Sequence, residues 1–219
     1  MAKILCLETA TTNCSVTLSE NESVIAFRED KSKDYSHAER LHVFIEEVLK
    51  EGQVGLNEIS AIAISKGPGS YTGLRIGVSA AKGICYALGI PLISIPTLES
   101  LALQVDNNSD FIVPMLDARR MEVYTSVFNN DLKEVSKTTA LVLDNSSYLE
   151  YLEQGKVTFI GNGVTKFSEI CNHPNALYIP NSLPSSLQMV SMAFNKYKAE
   201  DFEDVAYFEP YYLKDFIKT

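Results

Sequence analysis

The chain has 219 residues, 46% of them apolar and 21% charged, which is enough apolar content for packed cores and too much for a disordered tract. Its formal charge of −9, with 28 acidic against 19 basic residues, excludes a large independent grip on nucleic acid, which relies on clustered Lys and Arg. The opening MAKILCLETATT lacks the parts of a signal peptide and no stretch approaches the roughly 20 apolar residues of a membrane helix, so the expectation is a cytoplasmic protein with no membrane contact. Cys6, Cys14, Cys85 and Cys171 are scattered among apolar or small neighbours and read as buried, reduced thiols.

In chain order, Lys3 to Glu8 alternates as a strand, Ser15 to Ser19 as its hairpin mate and Val24 to Arg28 as a third strand. Ser36 and Glu39 form a capping box ahead of a helix whose apolar face is Leu41, Phe44, Ile45, Val48 and Leu49. A strand follows at Ile59 to Ser65, then a glycine turn, a helix stopped by Gly89 and Pro91, a strand at Leu92 to Ile95 and a short helix at Leu98 to Val105. The second half repeats the order. Its strands are Phe111 to Leu116, Glu122 to Phe128, Leu132 to Ser136, Val157 to Gly161 and Ala176 to Ile179. Its helices are Ser146 to Glu153, Gly163 to Cys171 and Ser186 to Ala199. The fold class is therefore α/β, with two βββαβαβα lobes, 1–106 and 107–219, and with the last helix and tail placed to pack back on the first lobe.

The segment GPGSYTGLRIGVSAAKGICYALG carries the most information. Gly67-Pro68-Gly69 can turn sharply, and the helix that follows offers free amides at its start. Gly73, Gly77, Ala80 and Ala81 form a stripe of small residues three or four apart, which costs helix propensity of about 1 kcal/mol per glycine. Neither GxxxxGK[ST] nor GxGxxG is present, so close packing is the better reading than phosphate binding.

GPGSYTGLRIGVSAAKGICYALGIPLISIPTLESLA strongly resembles the bacterial TsaB (YeaZ) family. ILCLETATTNCSVTL, SHAERLHVFIEEVL, MLDARRMEVYTSVF and EPYYLKDF do so too, in family order from residue 4 to residue 216. The resemblance implies the duplicated fold of actin, sugar kinases and heat-shock ATPases (ribonuclease H-like). It also implies a part in making threonylcarbamoyladenosine on ANN-decoding tRNAs, as the non-catalytic partner of TsaD, with TsaE completing the complex. A homodimer in isolation is implied as well, with tRNA met mainly through the complex.

The residues agree with a non-catalytic role. TsaD-type enzymes carry two metal-binding histidines in the region that is here SIPTLESLA, where only Glu99 could be a ligand. His37 and His42 point about 140° apart on a helix, and no HExxH, GxSxG or Cys/His pairing exists. No catalytic residue and no metal site are expected, and no cofactor is required.

In active members of the fold a glycine-bearing turn after the first strand holds phosphates. Here that turn is Glu8-Thr9-Ala10-Thr11-Thr12-Asn13, without glycine. Weak ATP or ADP binding would use Thr9, Thr11, Gly67 and Gly69, together with Asp117 and Arg119 of the matching hairpin. Asp117 either positions a metal-bound water or stabilises its own turn.

A partner surface is expected on the helices at 37–49 and 72–88, from Leu41, Phe44, Ile45, Arg75, Ile76, Gly77, Ala80 and Ile84. Tyr86 is a further apolar candidate there. Two rival classes are a nucleotide-dependent enzyme acting alone and a glycoprotease-like hydrolase. The first lacks phosphate glycines after Glu8, and the second lacks a nucleophile–base pair.

Overall fold

The computed structural model describes residues 1–32, 37–106 and 109–214, with only the backbone of residues 37 and 38. Ser36, the expected helix cap, and the side chain of His37 lie outside the described residues.

The first unit comprises Met1–Thr97 and Pro184–Thr219. Its strands are β1 (Lys3–Glu8), β2 (Cys14–Glu20), β3 (Ser23–Asp30), β4 (Ala61–Gly67) and β5 (Leu92–Pro96), in the sheet order β3-β2-β1-β4-β5. The hairpin strands β1 and β2 pair antiparallel, with Glu8 opposite Ser15, while β4 runs parallel to both β1 and β5. Helices α1 (His37–Gly52) and α2 (Tyr71–Leu88) cover one face of this sheet. Leu5, Leu7, Val16, Leu18, Ile62 and Ile64 bury there against Leu41, Phe44, Val48, Val78, Ala81 and Cys85. The other face is covered by the last helix, α6 (Met189–Lys198), whose Met189, Val190 and Ala193 pack on Ile4, Cys6, Ala61, Ala63, Ile93 and Ile95. A one-turn 3-10 segment at Leu56–Glu58 precedes β4, so the chain enters that strand later than the apolar run suggests.

The second unit, Leu98–Leu183, has the same design. Strands β6 (Phe111–Asp117), β7 (Glu122–Asn129), β8 (Glu134–Val142), β9 (Val157–Gly161) and β10 (Ala176–Pro180) are ordered β10-β9-β6-β7-β8. Read from its own first strand, this is the arrangement of the first sheet: two antiparallel hairpin strands on one side and two parallel strands on the other. The duplicated α/β architecture expected from the sequence is present. Helices α4 (Leu149–Leu152) and α5 (Val164–Ser168) are shorter than their periodicity suggests, and the rings of Phe159, Phe167 and Tyr148 pack edge-on or tilted against one another.

The chain passes from the first unit to the second at Thr97/Leu98 and back at Leu183/Pro184, whereas the sequence predicts one division, at 106/107. Leu98, Leu101 and Ala102 of α3 (Thr97–Ala102) bury with Ile112, Leu116, Phe128 and Ile160, which draws the short helix into the second unit. Among the described residues no helix is long and apolar enough to cross a membrane.

Candidate functional site

The turn after β1 is closed from within. Glu8 ends the strand fully buried, and its Oε1 accepts from the Ala10 amide at 2.6 Å and the Ser65 hydroxyl at 2.9 Å. Its Oε2 has no hydrogen-bond partner. Loss of hydration pushes the carboxyl up to about 7, against the pull of those two donors. Thr9 Oγ1 donates to the Gly73 carbonyl at 2.8 Å, and the Ser70 amide donates to the Ala10 carbonyl at 2.6 Å.

These contacts explain the glycines. A Cβ on Gly69 would strike the Ala10 carbonyl, and one on Gly77 would strike Thr9 Oγ1 and come within 2.9 Å of Ile64 Cδ1. The first turns of α2 lie directly on the β1 turn, with Ser70 as N-cap accepting from the Gly73 amide at 3.3 Å. Gly89 ends the helix in the left-handed conformation, φ 66°, as its position predicts.

The glycine turn itself is occupied by the chain's own tail. Gly67, at φ 110°, donates to Thr97 Oγ1 at 3.0 Å, and its missing Cβ would lie 2.7 Å from the Tyr211 carbonyl. Tyr211 donates back to the Lys66 carbonyl at 2.7 Å, and the Tyr212 ring sits 4.9 Å from that of Tyr71. Thr11 Oγ1 accepts from the Asn13 amide at 3.2 Å and is 6% exposed. The Thr9 hydroxyl and the Gly67 amide, two of the groups a phosphate would use here, are already bonded within the chain.

In the second unit the matching hairpin is open. Asp117 Oδ1 accepts from the Arg119 amide at 3.1 Å, and the carboxylate pairs with Lys166. The Lys166 ammonium also donates to the Arg120 carbonyl at 2.7 Å and the Glu122 carbonyl at 2.8 Å. Of the two roles considered for Asp117, these bonds match the turn-stabilising one. Arg119 and Arg120 stand exposed at the tip.

The expected partner positions separate into two groups. Leu41, Phe44 and Ile45 are at most 6% exposed in the first unit's own core, and Gly77 is buried under Thr9. Helical spacing cannot distinguish a core stripe from a surface stripe, and here the core claims these four, a correction to the expected surface. Ile76, Ala80 and Ile84 are half-buried at the edge of that core, and Arg75 is exposed, donating to the Tyr71 hydroxyl at 2.9 Å.

Thr72, Arg75, Ser79, Gly83 and Tyr86, three or four apart, form the outer stripe of α2. Tyr86 is 85% exposed, and nothing lies within 4 Å of where a Gly83 Cβ would be. Lys82, one position before Gly83, donates to the Ala206 and Phe208 carbonyls, bringing the tail and its exposed Tyr207 beside this stripe.

Among the described residues no three His, Cys, Asp or Glu side chains come together to hold a metal. All four cysteines are buried, and burial pushes Cys6 and Cys14 up to about 12 and Cys85 to about 11, so their thiolates are disfavoured. A cleft of about 310 Å³ in the second unit is bounded by Thr125, Ser136, Asp144 and Tyr148, whose polar atoms bond locally. Sequence reasoning missed Glu8, Lys166 and Gly83. Only for Gly83 was a signal present: a glycine deep in a long helix with no turn to serve.

The comparisons with known proteins agree with one another. The family model described as "TsaD: tRNA N6-adenosine threonylcarbamoyltransferase" matches residues 31–208. The chain is 32% identical to the tRNA threonylcarbamoyladenosine biosynthesis protein TsaB of Buchnera aphidicola subsp. Baizongia pistaciae, over 86% of this chain and 87% of that protein. It is 32% identical to the Bacillus subtilis TsaB, over 73% and 70%, and 27% identical to that of Escherichia coli, over 97% and 95%. Among solved structures, YeaZ from Pseudomonas aeruginosa superposes with a TM-score of 0.84 at 24% identity, covering 97% of this chain and 100% of that one, a likeness of fold.

Proposed function

Because the chain belongs to the TsaB (YeaZ) group of the TsaD threonylcarbamoyltransferase family and has a role in tRNA threonylcarbamoyladenosine biosynthesis, we propose that it plays that role as a non-catalytic subunit. On this reading it partners a TsaD-type transferase in the cytoplasm, with a TsaE-type ATPase as a further member of the complex. The transferase acts on ANN-decoding tRNA, and this chain meets the tRNA through the assembly. The same surface pairs two copies of the chain when the transferase is absent.

The observation that carries the reading is the outer stripe of α2. Glycine in a helix interior costs roughly 1 kcal/mol relative to alanine, and Gly83 has no neighbour in its own unit that would make a Cβ costly. Close approach of another backbone offsets such a cost, and the adjacent Tyr86 and Tyr207, 85% and 84% exposed, are the residue type that anchors interfaces. The family's histidine positions fall in SIPTLESLA, which offers no ligand pair.

No nucleotide on this chain is needed, and calorimetry with millimolar ATP or ADP is expected to give no binding heat. The main test is reconstitution of threonylcarbamoyl transfer to an unmodified ANN-decoding tRNA with and without the chain. Transfer that depends on the chain, together with co-elution with the transferase, is the expected result. Full transfer in its absence overturns the proposal.

A further inference from the structure

We propose that the β6–β7 hairpin is a contact for the phosphate backbone of structured RNA, made by the guanidinium groups of Arg119 and Arg120. The inference rests on the chain acting in the assembly just described, and it names a surface of this chain that the RNA touches.

Three independent features point to it. The first is conformation. Arg119 and Arg120 have φ values of 71° and 49°, the left-handed region where hairpins ordinarily place Gly or Asn. Arginine gains nothing locally there, and among the described residues no other two consecutive non-glycine residues share the conformation.

The second is rigidity. The loop is closed by the Ala118 amide on the Glu122 carbonyl at 3.0 Å and the Glu122 amide on the Arg119 carbonyl at 3.1 Å. Asn162 Oδ1 accepts from the Asp117 amide at 2.9 Å, and the three protons of Lys166 reach Asp117, Arg120 and Glu122. The tip is a fixed platform, so ordering it on contact costs little entropy.

The third is charge. Lys166 neutralises Asp117, and neither Arg guanidinium is within ion-pair distance of a carboxylate among the described residues. Counting Asp117, Arg119, Arg120, Glu122 and Lys166 gives two negative and three positive charges, a net of +1, on a chain of −9. Guanidinium forks match phosphate geometry, and an acidic body keeps the contact local. An acidic protein surface is the competing partner for the same two cations. RNA is favoured because it is the substrate of the pathway to which the chain belongs.

The test uses the full chain reconstituted with its transferase and an unmodified ANN-decoding tRNA transcript, titrated across a salt series. R119Q/R120Q is compared with wild type and with R119K/R120K. Loss of two phosphate contacts is expected to weaken tRNA binding several-fold. The slope of log K against log salt should fall by about 1.4 to 1.8, with co-elution unchanged and much of the slope retained by the lysine variant. An unchanged affinity and slope overturns the inference while leaving the subunit role intact. Loss of co-elution in R119Q/R120Q reassigns the pair to an acidic protein surface and also overturns it. Failure of the wild-type chain to co-elute with or stimulate the transferase sinks both proposals.

Discussion

The two units share one strand order and differ most at one corner, the turn after the first strand. In the first unit that turn lies under the glycine-rich start of α2, with Glu8 buried at its root and Thr9 bonded to Gly73. In the second unit the equivalent hairpin has no long helix over it, since α5 spans only Val164–Ser168, and a single lysine braces it from the side. A duplicated fold thus yields one sealed corner and one open, cationic corner. The small-residue stripe of α2 decides the difference, because only glycine lets the helix sit so near the turn.

Substitutions at the sealed corner should have the largest effects. Gly77→Ala forces a Cβ into Thr9 and Ile64, and unfolding in urea is expected to show a loss of about 2 to 3 kcal/mol. A loss below 1 kcal/mol would mean the helix is free to move off the turn.

Glu8 gives the corner a pH dependence. Its folded pKa, about 7, is raised above the unfolded 4.5, so the folded state holds a proton that the unfolded state releases between those values. Its contribution is fully present below pH 4.5 and is lost as pH rises through about 7, a fall of about 3 kcal/mol. Denaturation at pH 5, 6.5 and 8 should show Glu8→Gln with a flatter profile and greater stability than wild type at pH 8. A profile parallel to that of wild type contradicts the sealed corner.

At the open corner, Lys166→Met removes the brace from Asp117, Arg120 and Glu122 and should destabilise the second unit by about 1 to 2 kcal/mol. Urea unfolding followed by tryptophan placed near the hairpin would detect it, and no change would show that the hairpin holds itself. The smallest effect has the opposite sign. Gly83→Ala, on the same helix as Gly77, is expected to stabilise the isolated chain by about 1 kcal/mol in thermal unfolding.

Much of this was legible in the sequence. The bounds of Lys3–Glu8 and Val157–Gly161 follow from the sequence, although Lys3–Glu8 is buried along nearly its whole length where alternation is expected. The end of α2 was readable because Gly89 supplies the left-handed cap. By contrast, β8 extends through Lys137, Thr138 and Thr139 to Val142, beyond the Ser136 where the sequence reading stops. It is an edge strand with no fully buried residue, so it carries little hydrophobic pattern.

The site was harder to read. A carboxylate before a Thr-rich turn looks solvated until the fold places Ser65 and α2 over it. Gly77 and Gly83 sit on the same helix among small residues, and only the atoms around the missing Cβ separate a packing glycine from one facing outward.

On the proposed reading the outward face of α2 serves a partner and not the fold. Gly83→Trp tests it most directly, since the position is exposed and a Cβ there meets nothing within 4 Å. The variant should unfold at the wild-type temperature or close to it, and it should lose both co-elution with the transferase and stimulation of threonylcarbamoyl transfer. Undiminished stimulation by a folded Gly83→Trp chain would contradict the account.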